Sequence, residues 1–202
     1  MKNEILLNYK NEIKRKKIHL LSFLIPLHYL LFPNSILLFI VLLVISILAI
    51  DIYRLYFNQR INIPIIKHIN STIRPYEKNS PMSATLLAIT SLLIILIFKR
   101  EIAIIAISMV AICDTIAAIY GMKYGKIKLF FNKTLEGSFA FLLTGCFLVF
   151  LLNYFINMGL DIIFLIICTL IATITESITP TRYDNITVPL STALALYIFY
   201  LI

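Results

Sequence analysis

Charge is scarce in this chain. Only 14% of its 202 residues are Asp, Glu, Lys or Arg, while 60% are hydrophobic; soluble chains average about 25% charged and about 45–50% apolar. A soluble domain of this length cannot bury so much apolar surface, and the mean hydropathy of +0.94 points the same way. Cysteine is scarce as well. Cys113, Cys146 and Cys168 all lie inside apolar runs, and an odd number so placed excludes a disulfide framework. A cleavable leader is not expected: the Lys-rich start is long, contains Glu4 and Glu12, and leads to no small-residue cleavage site. Internal repeats and low-complexity tails are missing too. The net charge of +8 makes nucleic acid a suspect, but the basic residues flank apolar runs, which is how membrane topology is encoded. Nucleic acid is therefore not an expected partner; membrane lipid is.

What is present is a series of apolar runs: Ile18–Phe32, Ser35–Phe57, Met82–Phe98, Ile102–Tyr120, Gly137–Phe155, Leu160–Ile178 and Ile186–Ile202. A helical span needs about 20 such residues. The expected fold is all-α, a polytopic transmembrane bundle of about seven spans over residues 18–202, preceded by a basic cytosolic segment, residues 1–17, in one integral-membrane domain. The first run is short and holds Pro26 and His28, so a tilted or re-entrant course is the alternative there. The long connection Asn58–Pro81 is expected along the membrane surface with some helix.

Orientation follows from Lys and Arg. If all runs span, Lys2, Lys10, Lys14, Arg15, Lys16 and Lys17, then Arg54, Arg60, Lys67, Arg74 and Lys78, then Lys123, Lys126, Lys128 and Lys133, then Arg182 share one side. The other side receives Lys99 and Arg100. The N-terminus is then cytosolic and the C-terminus outside. A re-entrant first run would throw the second basic connection to the wrong side.

Ionisable residues within spans are expensive and by default mark function. Asp114 lies inside the fourth run and Glu176 near the end of the sixth. At about 1.5 Å per residue, Asp114 sits roughly 10 Å from Gly121 and Glu176 roughly 6 Å from Pro180, so both occupy similar depths below the cytosolic surface, with Asp184 following on the same side. Three carboxylates at one boundary suit Mg²⁺, which takes a few carboxylates plus phosphate oxygens and water. The competing reading pairs each carboxylate with a nearby Lys. Asp114, Ala118, Gly121 and Gly125 form one small-residue stripe. It serves helix packing, a close backbone approach to phosphate, or both. At Lys133-Thr134-Leu135-Glu136-Gly137-Ser138, Thr134 is a good N-cap, the helix start offers an anion site, and Lys133 adds a point charge suited to phosphate. Glu136 is placed to orient Lys133 or help bind metal. An ordinary capped helix is the plainer alternative.

The stretch Asp114–Ser138, with Glu176-Ser177 and Asp184-Asn185, resembles the CTP-dependent lipid alcohol kinases, which include dolichol, phytol and CTP-using diacylglycerol kinases. They share an Asp-x-x-Ala-x-x-x-Gly-x-x-x-Gly-Lys stretch, a Lys-Ser/Thr-x-Glu-Gly-Ser stretch, a Glu-Ser helix end and an Asp-Asn pair. Arg15-Lys16-Lys17-Ile18-His19 is similar to the family's N-terminal basic element, and Glu77–Thr85 to its acid before a small-residue helix start. Cys113 and Ser83 stand where many relatives have Gly, and Tyr183 where many have a second acid. The resemblance implies phosphoryl transfer from CTP to a lipid hydroxyl. Asp114 and Glu176 would be the catalytic carboxylates and, with Asp184, hold Mg²⁺. Gly121, Gly125, Lys126, Lys133, Thr134, Glu136, Gly137, Ser138, Arg15, Lys16 and Asn185 would form the nucleotide site. Phosphatidate cytidylyltransferases share a similar nucleotide stretch but continue with His-Gly-Gly and Asp-Arg signatures; here Glu176–Asn185 and the final helix contain neither His nor Gly. A small transporter or scaffold is the rival of another class, although its charges would be expected nearer the midplane.

Overall fold

The computed structural model describes residues 2–56, 73–156 and 159–201, with side chains from residue 11 onward. Among the described residues the protein is all-α, and every apolar run is helical. Helix α1 (Lys2–Leu20) continues through a 3₁₀ turn, Leu21–Phe23, into α2 (Leu24–Leu31), with right-handed helical dihedrals at both junctions. After Pro33–Ser35 come α3 (Ile36–Tyr56), α4 (Ser83–Ile97) and α5 (Arg100–Ser108). A π turn, Met109–Cys113, leads into α6 (Asp114–Tyr124), followed by α7 (Leu135–Ile156), α8 (Ile162–Ile178) and α9 (Asp184–Leu201). The expected surface-lying segment Asn58–Pro81 falls outside the described residues over 58–72; its described end forms the 3₁₀ turn Pro75–Glu77.

Arg100–Tyr124 is the hub. Every residue from Ile102 to Ala111 is buried, as expected of a helix that is apolar all round. α5 packs against α2, α4 and α9, the π turn against α7 and α9, and α6 against α1 and α7. The outer surface is greasy: Leu38, Leu42 and Ile45 on α3, Leu143 and Phe147 on α7, and Ile163 on α8 are all exposed. Charge lies inside instead, with Asp51, Arg54, Glu77, Asp114, Glu176 and Asp184 buried. Pro33–Tyr56, Arg100–Tyr124 and Leu135–Ile156 are long and apolar enough to cross a membrane, and Ser83–Ile97 and Ile162–Ile178 are shorter apolar helices. An apolar exterior over a partly polar interior makes sense with lipid as the solvent.

The doubtful first run follows the hub lengthwise. Lys16 Nζ meets Asp114 Oδ2 at 2.5 Å, and Arg100 Nη2 donates to Leu30 O at 2.8 Å. The stretches Lys16–Leu30 and Arg100–Asp114 each cover about 21 Å at roughly 1.5 Å per residue. The first run therefore keeps pace with the hub instead of turning back. At the start of α4, a buried ion pair fixes the chain. Arg54 Nη2 donates to Asp51 Oδ1 at 2.6 Å and to Ser80 O at 2.7 Å, and Nη1 donates to Glu77 O at 2.6 Å. Asp51 Oδ2 accepts from Met82 N at 2.9 Å and Thr85 Oγ1 at 2.7 Å.

Candidate active site

Two helix ends and the hub bring the site together: Asp114 follows the π turn inside the Arg100–Tyr124 span, Glu176 lies in the last turn of α8, and Asp184 opens α9. One oxygen from each lies within 4.8 Å of the others. Opposite ligands around Mg²⁺ stand about 4.2 Å apart, given metal–oxygen distances of about 2.0–2.1 Å. Lysine pairing is realised here as well. Lys16 contacts Asp114 Oδ2, while Lys133 Nζ donates to Glu176 Oε1 at 2.7 Å, Asp184 Oδ2 at 2.9 Å and Glu176 O at 2.5 Å. Burial opposes the Lys133 ammonium, but the Asp184 and Glu176 carboxylates outweigh it and hold its pKa above the ordinary lysine value. Even so, Glu176 Oε2 and Asp184 Oδ1 are buried with no hydrogen-bond partner among the described residues. An unpaired buried carboxylate oxygen is costly. Hard oxygen donors with spare lone pairs fit a hard divalent cation.

His19 Nε2 lies 3.5 Å from Asp114 Oδ2 and 3.1 Å from Val110 O. The carbonyl requires a proton on Nε2. Val110 belongs to the π turn, a local feature common at functional sites, and no sequence pattern announced it.

The Lys126–Ser138 region resolves differently from the carboxylates. Leu129 N donates to Lys133 O at 2.8 Å and Leu135 N to Ile127 O at 2.9 Å, closing a tight loop with Phe131 and Asn132 at positive φ. Thr134 caps α7 by accepting from Gly137 N at 3.2 Å. Glu136 does not reach Lys133: its carboxylate accepts from Lys126 N at 2.9 Å and Ile127 N at 3.3 Å, and the Lys126 side chain stays exposed. Of the helix-start donors, Leu135 N, Gly137 N and Ser138 N thus have protein partners. The glycine stripe is a packing seam. A Cβ at Gly121 would lie 2.6 Å from Thr134 Oγ1, and one at Gly137 would lie 3.0 Å from Ala117 O. Ser138 is buried, and its hydroxyl lacks a partner among the described residues.

A cavity of about 450 Å³ opens beside the carboxylates, and Asp114, Asp184, Lys16 and His19 line its polar end. Arg15 and Arg74 line the same end. Arg15 pairs with Glu12, and Arg74 Nη2 donates to Glu12 Oε1 at 2.7 Å. Burial first, and the Arg74 guanidinium second, lower the Arg15 pKa to about 10, so two cations face each other across one acid. Asn185 Nδ2 donates to Ser83 O at 2.9 Å, tying α9 to the start of α4. Arg74 and Glu77 were not singled out as site residues by sequence reasoning, although Glu77 opened the weaker of the family-like stretches. Glu77 accepts from Arg74 N at 2.7 Å, Ser83 N at 2.9 Å and the Ser83 hydroxyl.

Greasy helices around buried carboxylates define the class: a multi-pass helical membrane protein with a polar centre at one end. Comparison with known proteins takes the assignment further. An uncharacterized protein of Rickettsia prowazekii is 27% identical over 196 residues, covering 93% of this chain and 94% of that protein. A Zea mays protein described as a probable chloroplastic phytol kinase is 32% identical over 151 residues, covering 67% of this chain and 49% of that protein. A Glycine max probable phytol kinase 2 is 35% identical over 120 residues, covering 52% of this chain and 41% of that protein. The chain thus spans about half the length of these plant relatives or less. No protein-family model matches, and no solved structure matches. The chain is a distant homologue of the plant phytol kinases, which are members of the CTP-dependent lipid kinase family.

Proposed function

We propose that the protein is a CTP-dependent kinase that phosphorylates the hydroxyl of a membrane lipid alcohol: a polyprenol, a phytol-like isoprenoid or diacylglycerol. The observation that carries this reading is the convergence of Asp114, Glu176 and Asp184 within 4.8 Å, with Asp114 and Asp184 lining the polar end of a cavity whose far walls are largely apolar. Phosphoryl transfer needs positioning and neutralised charge more than covalent chemistry, and this site offers both. Asp114, Glu176 and Asp184 would hold Mg²⁺, which supplies neutralisation of the phosphate oxygens. Lys133 balances the Glu176–Asp184 carboxylate pair and would turn to phosphate once a cation takes that role. Lys16, Arg15 and Arg74 add positive charge at the mouth. The alcohol oxygen attacks the γ-phosphorus, the bond to the β–γ bridging oxygen breaks, CDP leaves, and Asp114 accepts the hydroxyl proton.

The topology proposed with it has seven spans, a cytosolic N-terminus, an outside C-terminus and the active site on the cytosolic face. The Lys/Arg asymmetry supports the orientation. The contacts that keep the first run in step with Arg100–Asp114 support its spanning. The test is incubation of purified protein with γ-labelled CTP, Mg²⁺ and a panel of lipid alcohols. Label should appear in a lipid phosphate, with CDP as co-product. With phosphatidate added in place of the alcohol, release of pyrophosphate and formation of a CDP-lipid would replace the kinase by a cytidylyltransferase.

A further inference from the structure

The cavity that begins at Asp114 and Asp184 runs on between the first helical path and the α3–α4 pair. Beyond His19 its walls are apolar: Leu21, Leu24 and Ile25 face Leu43 and Ile47 of α3 and Leu87 of α4. Ile25 and Leu87 are 3% exposed, whereas Leu21 and Leu24 are 62% and 54% exposed. The slot is therefore closed at its back and open sideways, toward the face that lipid would cover. Phe39 closes the far end. It stacks on His28 with centroids 4.3 Å apart, and His28 Nε2 is fixed by Ser35 Oγ at 2.9 Å. From Ile50 to Phe39, α3 covers about 16 Å, roughly half of a ~30 Å hydrocarbon layer.

We infer that this slot holds the single hydrocarbon chain of the alcohol, hydroxyl toward Asp114, and that Phe39 sets the chain length accepted. The inference deepens the kinase reading and rests on it for the identity of the head group. If each carbon takes about the ~30 Å³ of a water molecule in the liquid, the whole 450 Å³ cavity, polar end included, sets an upper bound on the order of 15 carbons. That is one isoprenoid chain of moderate length. Diacylglycerol carries two chains on one head, and the slot has room for one of them.

The chain contains no Trp, so a single introduced Trp is a clean reporter. Phe39→Trp places one at the end of the slot with little change in size. Leu38→Trp, at a neighbouring position that is 66% exposed, places one at the same depth on the outer face. Both are titrated in detergent, without nucleotide, with a tail-brominated single-chain alcohol of about 16 carbons, the size the volume argument gives. Saturable quenching is expected for Phe39→Trp, reversed by an unbrominated isoprenoid alcohol and not by diacylglycerol; Leu38→Trp should show only shallow, unsaturated quenching. Equal quenching of the two reporters, or displacement by diacylglycerol, overturns the inference. Saturable quenching in a protein that transfers no phosphate from CTP overturns the kinase reading and leaves the slot standing. Ile47→Phe gives a second measurement. Mid-slot bulk should lower the long-to-short ratio of bound alcohols about tenfold, as one or two misplaced methylenes do in an apolar pocket. An unchanged ratio overturns the length-setting role.

Discussion

Lys133→Ala tests the site most directly, because Lys133 is the cation that Glu176 and Asp184 share. Its ammonium donates three hydrogen bonds, to Glu176 O, Glu176 Oε1 and Asp184 Oδ2. Removing one partner of a buried ion pair costs about 3–5 kcal/mol, because the other charge is left uncompensated. For a chain of this size that corresponds to a drop in Tm on the order of 10 °C, at roughly 2–4 °C per kcal/mol. The assay is thermal unfolding of purified protein, first in EDTA and then with increasing Mg²⁺. In the parent protein Mg²⁺ must displace Lys133, whereas in the variant it meets bare carboxylates. Mg²⁺ should therefore stabilise the variant more, and at 100 times its Kd should restore about 2.7 kcal/mol. A variant with parental Tm in EDTA, or one whose Tm ignores Mg²⁺, would refute both the shared-cation reading and the metal site.

The same variant also reads the nucleotide. A charge-assisted hydrogen bond is worth roughly 1.5–3 kcal/mol, or about 10- to 100-fold in affinity or rate. If Lys133 grips CTP equally throughout, KM for CTP rises and kcat holds; if it meets charge that develops during transfer, kcat falls. The lipid KM should move little. Unchanged CTP kinetics would return Lys133 to a purely structural role.

Asp114→Asn should abolish phosphoryl transfer while folded protein is still recovered; full activity would remove Asp114 from the metal site. Arg15→Gln keeps the many other N-terminal cations, so topology should hold while activity falls, and parental activity would leave Arg15 with orientation alone. Gly137→Val should destabilise the fold by about 1–3 kcal/mol, as overpacking does, because the new side chain meets Ala117 O, Thr134 and Gly121; parental Tm with a raised CTP KM would instead assign that backbone to phosphate. A cysteine placed at Lys126 in a cysteine-free background should be labelled from the cytosolic side, and labelling only from outside would invert the proposed topology.

The helices were legible because apolar runs interrupted by charge leave little choice in lipid. The carboxylate cluster was legible for a related reason: Asp114 and Glu176 stand out in apolar company, and their depths could be counted along each helix. The role of the glycine stripe was not. Gly121 and Gly137 read equally well as a packing seam or a phosphate approach, and only the position of Thr134 between them decides what their Cα faces meet. Glu136 sits three residues from Lys133 in sequence, yet the turn at Phe131 and Asn132 points it back at Lys126 N. Backbone geometry of that kind has no side-chain periodicity to betray it. Asp51 and Arg54 escaped notice because they sit at a helix end, where charge is ordinary; their partners lie across a loop.

The arrangement also explains why so many charges are spent on holding rather than reacting. In the kinase proposed above, a water-soluble triphosphate and a hydrocarbon-bound hydroxyl must meet at one point. The charged groups of α1, α4, α6, α8 and α9 gather at one end of an otherwise apolar bundle, Asp114 from inside the continuous Arg100–Tyr124 span and the others from near helix ends. They must then be fixed to one another by something other than helix packing, since packing acts below them. The Asp51–Arg54 pair holds the start of α4, Asn185 ties α4 to α9, Lys133 ties α9 to α8, and Lys16 ties α1 to α6. Two of those ties, Lys133 and Lys16, end on the carboxylates themselves. A cation entering the site would release both lysines at once, turning structural counter-ions into free positive charges beside the cavity where the triphosphate would lie.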